Sequence, residues 1–279
     1  MDTQELIQHL AGFPEIPDEE WMRSLEERKK KEIQFFDQGR DQKFLDSLDP
    51  DTYKDFRGNR GKLYQTVSKS TRYVDRWIQQ HSQGKVFLDY GCGPGQNAIK
   101  AAQAGARLAI GLDISMVSVQ IARERTQSLG LRNALFIQSD AENTRLPDHC
   151  IDTIICSGML HHVDVRNAFP ELQRILAPKG RILANEALAY NPLIQWYRNR
   201  TPQRRTQWES AHILSLREVR FAKRFFDIGK IRFWHMASCA GVYVPALLPL
   251  LNCIDSVLTR IPLIRLMSWQ FTFELLSKE

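Results

Sequence analysis

The sequence predicts an α/β fold built on a doubly wound, mostly parallel sheet. From residue 85 onward, short apolar runs alternate with amphipathic segments of helical length. Strand–helix–strand repeats at this pitch are typical of βαβ units, which bind ligands at the carboxyl ends of their strands. The predicted strands are 86–90, 108–112, 134–138, 153–156 and 181–185, and the predicted helices between them are 96–104, 115–128 and 165–176.

Two later strands complete a seven-stranded sheet. Residues 225–234 alternate loosely between apolar and polar side chains, and residues 269–275 alternate more clearly. Period-two alternation indicates a strand with one buried face. An apolar insertion punctuated by prolines, residues 236–266, precedes the last strand.

The first 80 residues are predicted to be a helical extension that covers part of the ligand site, ahead of a single domain over 81–279. Helices are predicted over 19–45, which is rich in charged residues, and over 62–80, where apolar residues recur at helical spacing. The basic run at 28–31 is expected to be a solvated face of the first of these helices.

Composition excludes several classes of protein. The chain has 279 residues, of which 43% are apolar and 25% charged, with a net charge of +6. The basic excess forms only two short clusters, so no nucleic-acid partner is expected. The five cysteines match no metal or disulfide spacing, which predicts reduced thiols, a cytoplasmic location and no metal site. The polar N-terminus argues against a secretory signal.

The uncharged stretch 236–254 is a candidate for a membrane-spanning helix. It is barely as long as a bilayer-spanning helix and contains Pro245 and Pro249. These features favour a pair of short buried or interfacial helices over a spanning one.

A glycine loop follows the first predicted strand. The apolar run 86–88 ends at Asp89, and Gly91, Gly93 and Gly95 come next at alternate positions. Glycine lets a ligand approach the backbone closely, because no Cβ is in the way. The helix that follows presents free N–H groups at its start. The segment therefore predicts a nucleotide-like ligand.

Acidic residues stand at the ends of three successive predicted strands. Asp89, Asp113 and Asp140 hold these positions, and the ends of parallel strands lie side by side. A carboxylate at the second strand can accept both ribose hydroxyls, and one at the third can receive the exocyclic amine of adenine. A lone Asp could instead be a helix cap or turn residue, but three beside a glycine loop favour a nucleotide site.

Residues 86–186 resemble the class I S-adenosylmethionine (SAM)-dependent methyltransferases, particularly the small-molecule group that includes the ubiquinone and menaquinone biosynthesis enzymes. The matching segments are Leu-Asp-Tyr-Gly-Cys-Gly-Pro-Gly at 88–95, Gly-Leu-Asp-Ile-Ser at 111–115, Ser-Asp-Ala-Glu at 139–142, Cys-Ser-Gly-Met-Leu-His-His-Val at 156–163 and Leu-Ala-Pro-Lys-Gly-Arg at 176–181. The resemblance implies a Rossmann-like fold and SAM as cofactor. The cofactor-binding residues that it implies are Asp89, Gly91, Cys92, Gly93, Gly95, Asp113, Ile114, Asp140, Ala141 and Ser157.

NAD is the rival nucleotide. Its loop is G-x-G-x-x-G, whereas this loop has Gln96 where the third glycine should be. Asp140 has no counterpart in the NAD pattern. Both departures favour SAM.

Three residues are candidates for catalysis. His161 and His162 follow the fourth strand and Glu186 ends the fifth, which places them at the edge of the cofactor cleft. A histidine titrates in the range that suits a general base for a hydroxyl nucleophile. The alternative is a polar pair that only shapes the pocket.

The segment 187–222 resembles a substrate-side element of one bacterial branch of the family, in which Asn-Pro-Leu leads to Tyr-Arg and Thr-Pro-x-x-Arg-Thr. Glu209 and His212 are spaced slightly apart from the pattern of that branch. The substrate-binding candidates are Asn191, Tyr197, Arg198, Arg205 and His212. The arginines could hold a carboxylate or phosphate of the substrate, or the segment could be a solvated basic loop.

The insertion 236–266 has three interpretations. Its apolar composition fits a lid over an apolar acceptor, or peripheral contact with a membrane surface. Extra core packing or a dimer interface is the third, and the oligomeric state is left open.

Together these features predict a SAM-dependent methyltransferase that acts on a small, apolar or amphipathic acceptor. O-methylation of a natural product, quinone or lipid-like molecule is the leading form, and N- or C-methylation is the alternative. An RNA or protein methyltransferase is a rival of another class, but Ser-Gly-Met-Leu stands at 157–160 in place of an Asn-Pro-Pro-Tyr-type motif. A non-catalytic SAM-binding protein is the other rival, and no part of the cofactor constellation is missing.

Overall fold

The computed structural model describes residues 2–13, 16–47 and 66–278. A seven-stranded sheet in the order β3-β2-β1-β4-β5-β7-β6 runs through its centre. The strands are β1 Val86–Tyr90, β2 Leu108–Asp113, β3 Ala134–Gln138, β4 Ile151–Ser157, β5 Leu176–Ala187, β6 Phe226–Trp234 and β7 Gln270–Ser277. Strand β7 runs antiparallel to both of its neighbours, and the other pairs are parallel. The predicted fold is confirmed.

Helices precede the sheet and cover its faces. The helices before the sheet are α1 Thr3–Ala11, α2 Asp18–Ser24, α3 Glu27–Gln38, α4 Gln42–Ser47 and α5 Ser68–Ser82. Those that follow are α6 Gln96–Gln103, α7 Met116–Ser128, α8 Val165–Ile175, α9 Pro192–Asn199, α10 Gln207–Ala211, α11 Leu216–Ala222 and α12 Leu248–Leu258.

Strand β1 separates two hydrophobic cores. All five of its residues are buried, and successive side chains of a strand point to opposite faces. Phe87 packs in one core with Trp77 of α5, and Leu88 packs in the other with Phe169 of α8. Burial on both faces explains why the sequence of this strand is a continuous apolar run rather than an alternation.

The N-terminal extension departs from its predicted form. The stretch 19–45 forms three helices rather than one, because Leu25 adopts an extended conformation after α2 and Gly39 ends α3. Helix α5 begins at Ser68, and part of the predicted helix 62–80 lies outside the described residues.

Strand β5 also begins earlier than predicted. Leu176 already pairs with Ile151 of β4, and the register shifts before Arg181 pairs with Thr153. Lys179 takes a positive φ of 62° within this irregular stretch. The Pro-Lys-Gly sequence therefore bends the strand instead of preceding it.

We expect Gly111→Ala to destabilise the fold. A Cβ at Gly111 of β2 would lie 2.3 Å from the Phe136 ring and 2.9 Å from Cys92 Sγ. Overpacking of this kind costs about 1–3 kcal/mol of the free energy of unfolding, which urea unfolding measures.

Gly12→Ala is the matched control. Gly12 has an ordinary φ of −82°, and the nearest atom to its Cβ would be 3.4 Å away. We expect a change within about 0.5 kcal/mol. Equal losses in both variants would show that the Phe136 contact does not limit this position.

Candidate active site

A cavity of about 450 Å³ lies at the carboxyl ends of the central parallel strands. The glycine loop after β1, the ends of β2 and β4, and the turn after β3 form its floor. Helix α3 and the turn after it roof the cavity through Phe36 and Arg40, and helix α5 does so through Thr71 and Val74. This is where an open α/β sheet binds its ligand.

Gly91 and Gly93 line the cavity, and Gly95 does not. Gly91 has a φ of +79°, and a Cβ there would lie 2.2 Å from Met159 Cγ, so only glycine fits. Gly95 instead occupies the position before α6. The loop thus exposes backbone to the cavity at two of the three predicted glycines.

Asp89 lies behind the loop, outside the cavity lining. Its carboxylate accepts the N–H of Ala98 at 3.2 Å and lies 3.5 Å from Asn97 Nδ2. Burial raises its pKa to about 7, against the lowering effect of these hydrogen bonds. Asp89 therefore stabilises the start of α6.

Asp113 is the best-placed predicted cofactor residue. One oxygen accepts the N–H of Gly93 at 2.8 Å, and the other accepts that of Ser115 at 2.9 Å. A carboxylate offers about four acceptor positions, so one per oxygen is left for the cavity. Ile114, which also lines the cavity, is held through its carbonyl by Trp21 Nε1 at 3.0 Å.

Asp140 is paired with a lysine that sequence reasoning missed. Lys29 Nζ of α3 lies 2.7 Å from Asp140 and 3.2 Å from Glu142. Burial alone would lower the pKa of Lys29, but the Asp140 and Glu142 carboxylates outweigh it, and the pKa is raised. Ala141 lies beside Asp140 in the cavity wall.

Arg28 faces inward as well. Its guanidinium donates to Glu142 at 2.5 Å and to the carbonyl of His162 at 3.0 Å. The prediction of a solvated basic run is therefore wrong for Arg28 and Lys29, although Lys31 is exposed. A charge run has no periodicity that shows which members meet buried acids.

Two buried polar atoms in the cavity wall have no hydrogen-bond partner among the described residues. They are Arg40 Nη1 and Asn185 Oδ1. Arg40 lies over the loop, with Nη2 3.6 Å from where a Cβ of Gly93 would stand, while Asn185 Nδ2 donates to Ser157 Oγ at 3.3 Å. Arg40 Nη1 lies 3.8 Å from the Asp37 carboxylate, beyond hydrogen-bond distance. A buried donor and a buried acceptor that lack hydrogen bonds fit the carboxylate and ammonium groups of a bound amino acid.

The sulfur-bearing Cys92 also lines the cavity. Burial raises the pKa of its thiol well above the ordinary value, with further raising from Asp113 and Asp89. A neutral thiol there provides apolar surface rather than a nucleophile.

Glu186 organises the turn after β4. One oxygen accepts the N–H groups of Met159 and Leu160 at 2.9 and 2.8 Å, and the other bonds His161 Nδ1 at 2.6 Å. Burial alone would lower the pKa of His161, but the Glu186 carboxylate outweighs it, and the pKa is raised. Neither residue lines the cavity.

His162 does line the cavity. Its Nδ1 bonds Glu32 of α3 at 3.0 Å, and the other Glu32 oxygen bonds the Thr206 hydroxyl. The imidazole is therefore oriented by a carboxylate, as a catalytic base commonly is.

His161, His162 and Glu209 form one group in which a possible ligand atom of each lies within 4.8 Å of the others. Two arginines act on the same group: Arg205 Nε lies 3.8 Å from Glu209, and the charge of Arg198 lowers the pKa of His161. The geometry could hold a cation, but the charge around it is already partly balanced.

The predicted substrate-side residues form the framework of the 187–222 segment, and none lines the cavity. Asn191 caps α9 and donates to the Met267 carbonyl at 2.6 Å. Tyr197 accepts from Arg204, and Arg205 donates to the carbonyls of Arg198 and Thr201. The remaining member, His212, is exposed and stacks on Trp208.

The insertion forms helix α12 and several short turns of 3₁₀-helix. Among the described residues, none of the helices combines the length and apolar character needed to cross a bilayer. No residue of 236–266 lines the cavity, so the insertion does not form a lid over it in this structure.

Sequence comparison finds methyltransferases. A family model described as a methyltransferase domain matches residues 81–228. The uncharacterized methyltransferase YcgJ of Bacillus subtilis is 37% identical over 97 residues, 34% of this chain and 38% of that protein. Ribosomal protein L11 methyltransferase of Klebsiella pneumoniae is 32% identical over 117 residues, 40% of each.

A third relative is named for the compound 27-O-demethylrifamycin SV. The 27-O-demethylrifamycin SV methyltransferase of Amycolatopsis mediterranei is 31% identical over 123 residues, 43% of this chain and 45% of that protein. The chain thus matches less than half the length of each of these relatives.

Structure comparison shows the same fold. The crystal structure of YcgJ superposes with a TM-score of 0.52 and 20% identity, covering 75% of this chain and 99% of that one. Geranyl diphosphate C-methyltransferase of Streptomyces coelicolor, solved with Mg²⁺, geranyl diphosphate and S-adenosyl-L-homocysteine, gives 0.55 and 17%, covering 75% and 79%.

Sheet order, glycine loop and strand-end acids define a class I SAM-dependent methyltransferase. The chain belongs to the methyltransferase-domain family, whose model covers just over half of its 279 residues. SAM is its methyl donor, and the open acceptor positions of Asp113, with the Arg40 and Asn185 atoms that lack hydrogen bonds, fit that ligand.

We expect Asp89→Asn to change how stability depends on pH. Asp89 has a pKa of about 7 in the folded state against an ordinary 3.8. The folded state therefore holds its proton more tightly, and ionisation removes stability as pH rises from about 4 to 7. Asparagine keeps an acceptor for Ala98 and has no such cost. The stability of the variant relative to wild type should rise by roughly 3–4 kcal/mol over that range.

Urea unfolding at several pH values measures this difference. Parallel stability curves for the two proteins would contradict the buried, proton-holding state of Asp89.

Proposed function

We propose that the protein transfers the methyl group of SAM to the oxygen of a small, apolar or amphipathic molecule, such as a natural product, quinone or lipid. The observation that supports this most is the roof formed by α3 and α5 over the cavity. A roofed cavity suits a small acceptor better than a folded protein or RNA. The five free cysteines are in keeping with a cytoplasmic location.

Each part of SAM has a proposed partner. The open positions of Asp113 suit the ribose hydroxyls, and Asp140 with Ala141 suits adenine. Arg40 suits the carboxylate, and Asn185 suits the ammonium group. Residues 1–80 would then act as a cofactor cap, because Arg40, just after α3, supplies one of these contacts and Lys29 of α3 pairs with Asp140.

We propose His162 as the general base. Bound SAM supplies an electrophilic methyl group beside the acceptor hydroxyl. His162 lines the cavity, Glu32 orients its Nδ1, and its Nε2 is left to take the hydroxyl proton. His161 and Glu186 are positioning residues, because they hold the turn that presents His162.

The 187–222 segment would border the acceptor end of the site. Thr206 bonds Glu32, and the Arg28 guanidinium lies 4.4 Å from the Trp208 ring. Arg198, whose charge acts on His161, is the member of the predicted substrate set that we propose for the acceptor. We propose no metal at this group, because Arg205 already lies 3.8 Å from Glu209.

We expect Arg40→Ala to weaken binding of S-adenosylhomocysteine by about 10- to 100-fold, the value of a hydrogen bond to a charged group. Binding of 5′-methylthioadenosine, which lacks the amino-acid part, should not change. Calorimetry with both ligands measures this.

Arg125→Ala is the matched control, since Arg125 bonds the Pro94 carbonyl of the same loop but does not line the cavity. Equal losses for both ligands in Arg40→Ala would show that Arg40 supports the loop rather than binding the carboxylate.

We expect His162→Asn to lower methyl transfer by about 10²- to 10⁴-fold, the usual contribution of a general base, with unchanged affinity for S-adenosylhomocysteine. The assay is transfer of label from methyl-labelled SAM into the organic-solvent fraction of an extract of the source cells. His9→Asn, at an exposed histidine of α1, is the control.

Full activity of the His162→Asn variant would contradict the proposal that His162 is the general base. Label that enters the protein fraction instead would show a protein methyltransferase. An N- or C-methylated product in the organic fraction would replace O-methylation.

A further inference from the structure

Helix α12 buries polar residues and exposes apolar ones, the reverse of an ordinary surface helix. Its two buried residues are polar, Asn252 and Asp255. The Asp255 carboxylate accepts the N–H of Ala237 at 2.6 Å and that of Ser238 at 3.2 Å, so it fastens the helix to the preceding turn. Several apolar side chains of the helix are exposed instead.

The exposed side is unusually apolar. Of fifteen large hydrophobic residues that are exposed among the described ones, nine lie within 243–264. Leu250 is 58% exposed, Val257 61% and Leu263 78%. Single exposed hydrophobic residues are ordinary, but a cluster of this density marks an interaction surface. We call the exposed residues of 243–264 the apolar face.

A cleft rich in cations adjoins the apolar face. We call it the basic cleft, and it is lined by Lys69, Lys230, Arg232, Arg260 and Arg265 around a volume of about 500 Å³. Asp255 is the carboxylate in its lining, and backbone N–H groups already occupy it. The cleft therefore carries a net positive charge beside an apolar surface.

We propose that the apolar face and the basic cleft dock this protein onto the surface of an anionic lipid bilayer. Apolar side chains buried at the headgroup boundary and cations beside lipid phosphates are the two components of interfacial binding. A second copy of the chain is a poorer occupant, because a two-fold interface across this face would bring like-charged clefts together. This inference does not rest on the proposed acceptor or base.

The full chain is tested by flotation with vesicles of phosphatidylcholine alone and of phosphatidylcholine with about 30% phosphatidylglycerol, an anionic lipid content chosen to give a strong surface potential. We expect binding to the anionic vesicles that weakens with added salt, and little binding to the neutral ones.

Two double variants separate the components. Leu250→Ser with Val257→Ser removes part of the apolar face, and Lys230→Glu with Arg260→Glu reverses charge in the basic cleft. Each should lower the apparent affinity for anionic vesicles by at least about tenfold. All four positions are exposed, and unchanged affinity for S-adenosylhomocysteine would show that the variants remain folded.

Matched controls come from exposed positions outside the apolar face and the lining of the basic cleft. Val117→Ser with Leu129→Ser removes two other exposed hydrophobic residues, and Arg220→Glu with Lys223→Glu makes the same change in net charge at exposed positions. Both should bind like wild type.

Failure of the wild-type chain to bind anionic vesicles would overturn the proposal, and so would equal binding to neutral ones. A concentration-dependent dimer that Leu250→Ser with Val257→Ser abolishes, seen by light scattering without vesicle binding, would assign the face to self-association instead. If the wild-type protein did not bind S-adenosylhomocysteine, that result would contradict the proposed cofactor site but not the proposed membrane docking.

Discussion

The ion pairs between helix α3 and the turn after β3 hold the active site together. Lys29 meets Asp140 and Glu142, and Arg28 meets Glu142. All four side chains are largely removed from water, where an unpaired charge would be costly and a paired one is tolerated. Because neither side can be buried without the other, these contacts fix where the N-terminal extension lies on the sheet.

Other contacts of the site follow from that placement. Once α3 is seated, Glu32 reaches His162 and Thr206, and Arg40 comes over the glycine loop. Arg28 also supports Trp208 of the 187–222 segment. The cap, the candidate base and the substrate-side segment are thus held by one helix, although they lie far apart in the sequence.

The sheet could be predicted because each strand carries its own signal. Each signal lies within the short segment that forms the strand or loop. These signals are the apolar run of β1, the glycines after it and the acids at 113 and 140. The role of α3 could not be predicted in the same way. Lys29 and Asp140 are 111 positions apart. The sequence of a basic run does not show whether its side chains are solvated or paired with buried carboxylates.

The histidine pair shows the same limit at closer range. His161 and His162 are adjacent in sequence, yet they meet different carboxylates, Glu186 and Glu32. The residue that ends β5 could be expected near the turn after β4, because parallel strand ends lie together. Glu32 belongs to an extension whose position no strand pattern determines.

Helix α5 belongs both to the active site and to the face proposed to meet the membrane. Thr71 and Val74 line the cavity, while Lys69, two positions before Thr71, bonds the Asn252 carbonyl of α12 and lines the basic cleft. Ser70 bonds His235, which precedes the insertion. Burial lowers the pKa of His235 to about 4, so the imidazole is neutral at physiological pH and this link does not change there. An amphipathic acceptor that left a bilayer at the docking surface would therefore be only a few residues away from the roof of the cavity. This proximity supports the proposed lipid-soluble acceptor more strongly than the apolar composition of the insertion does.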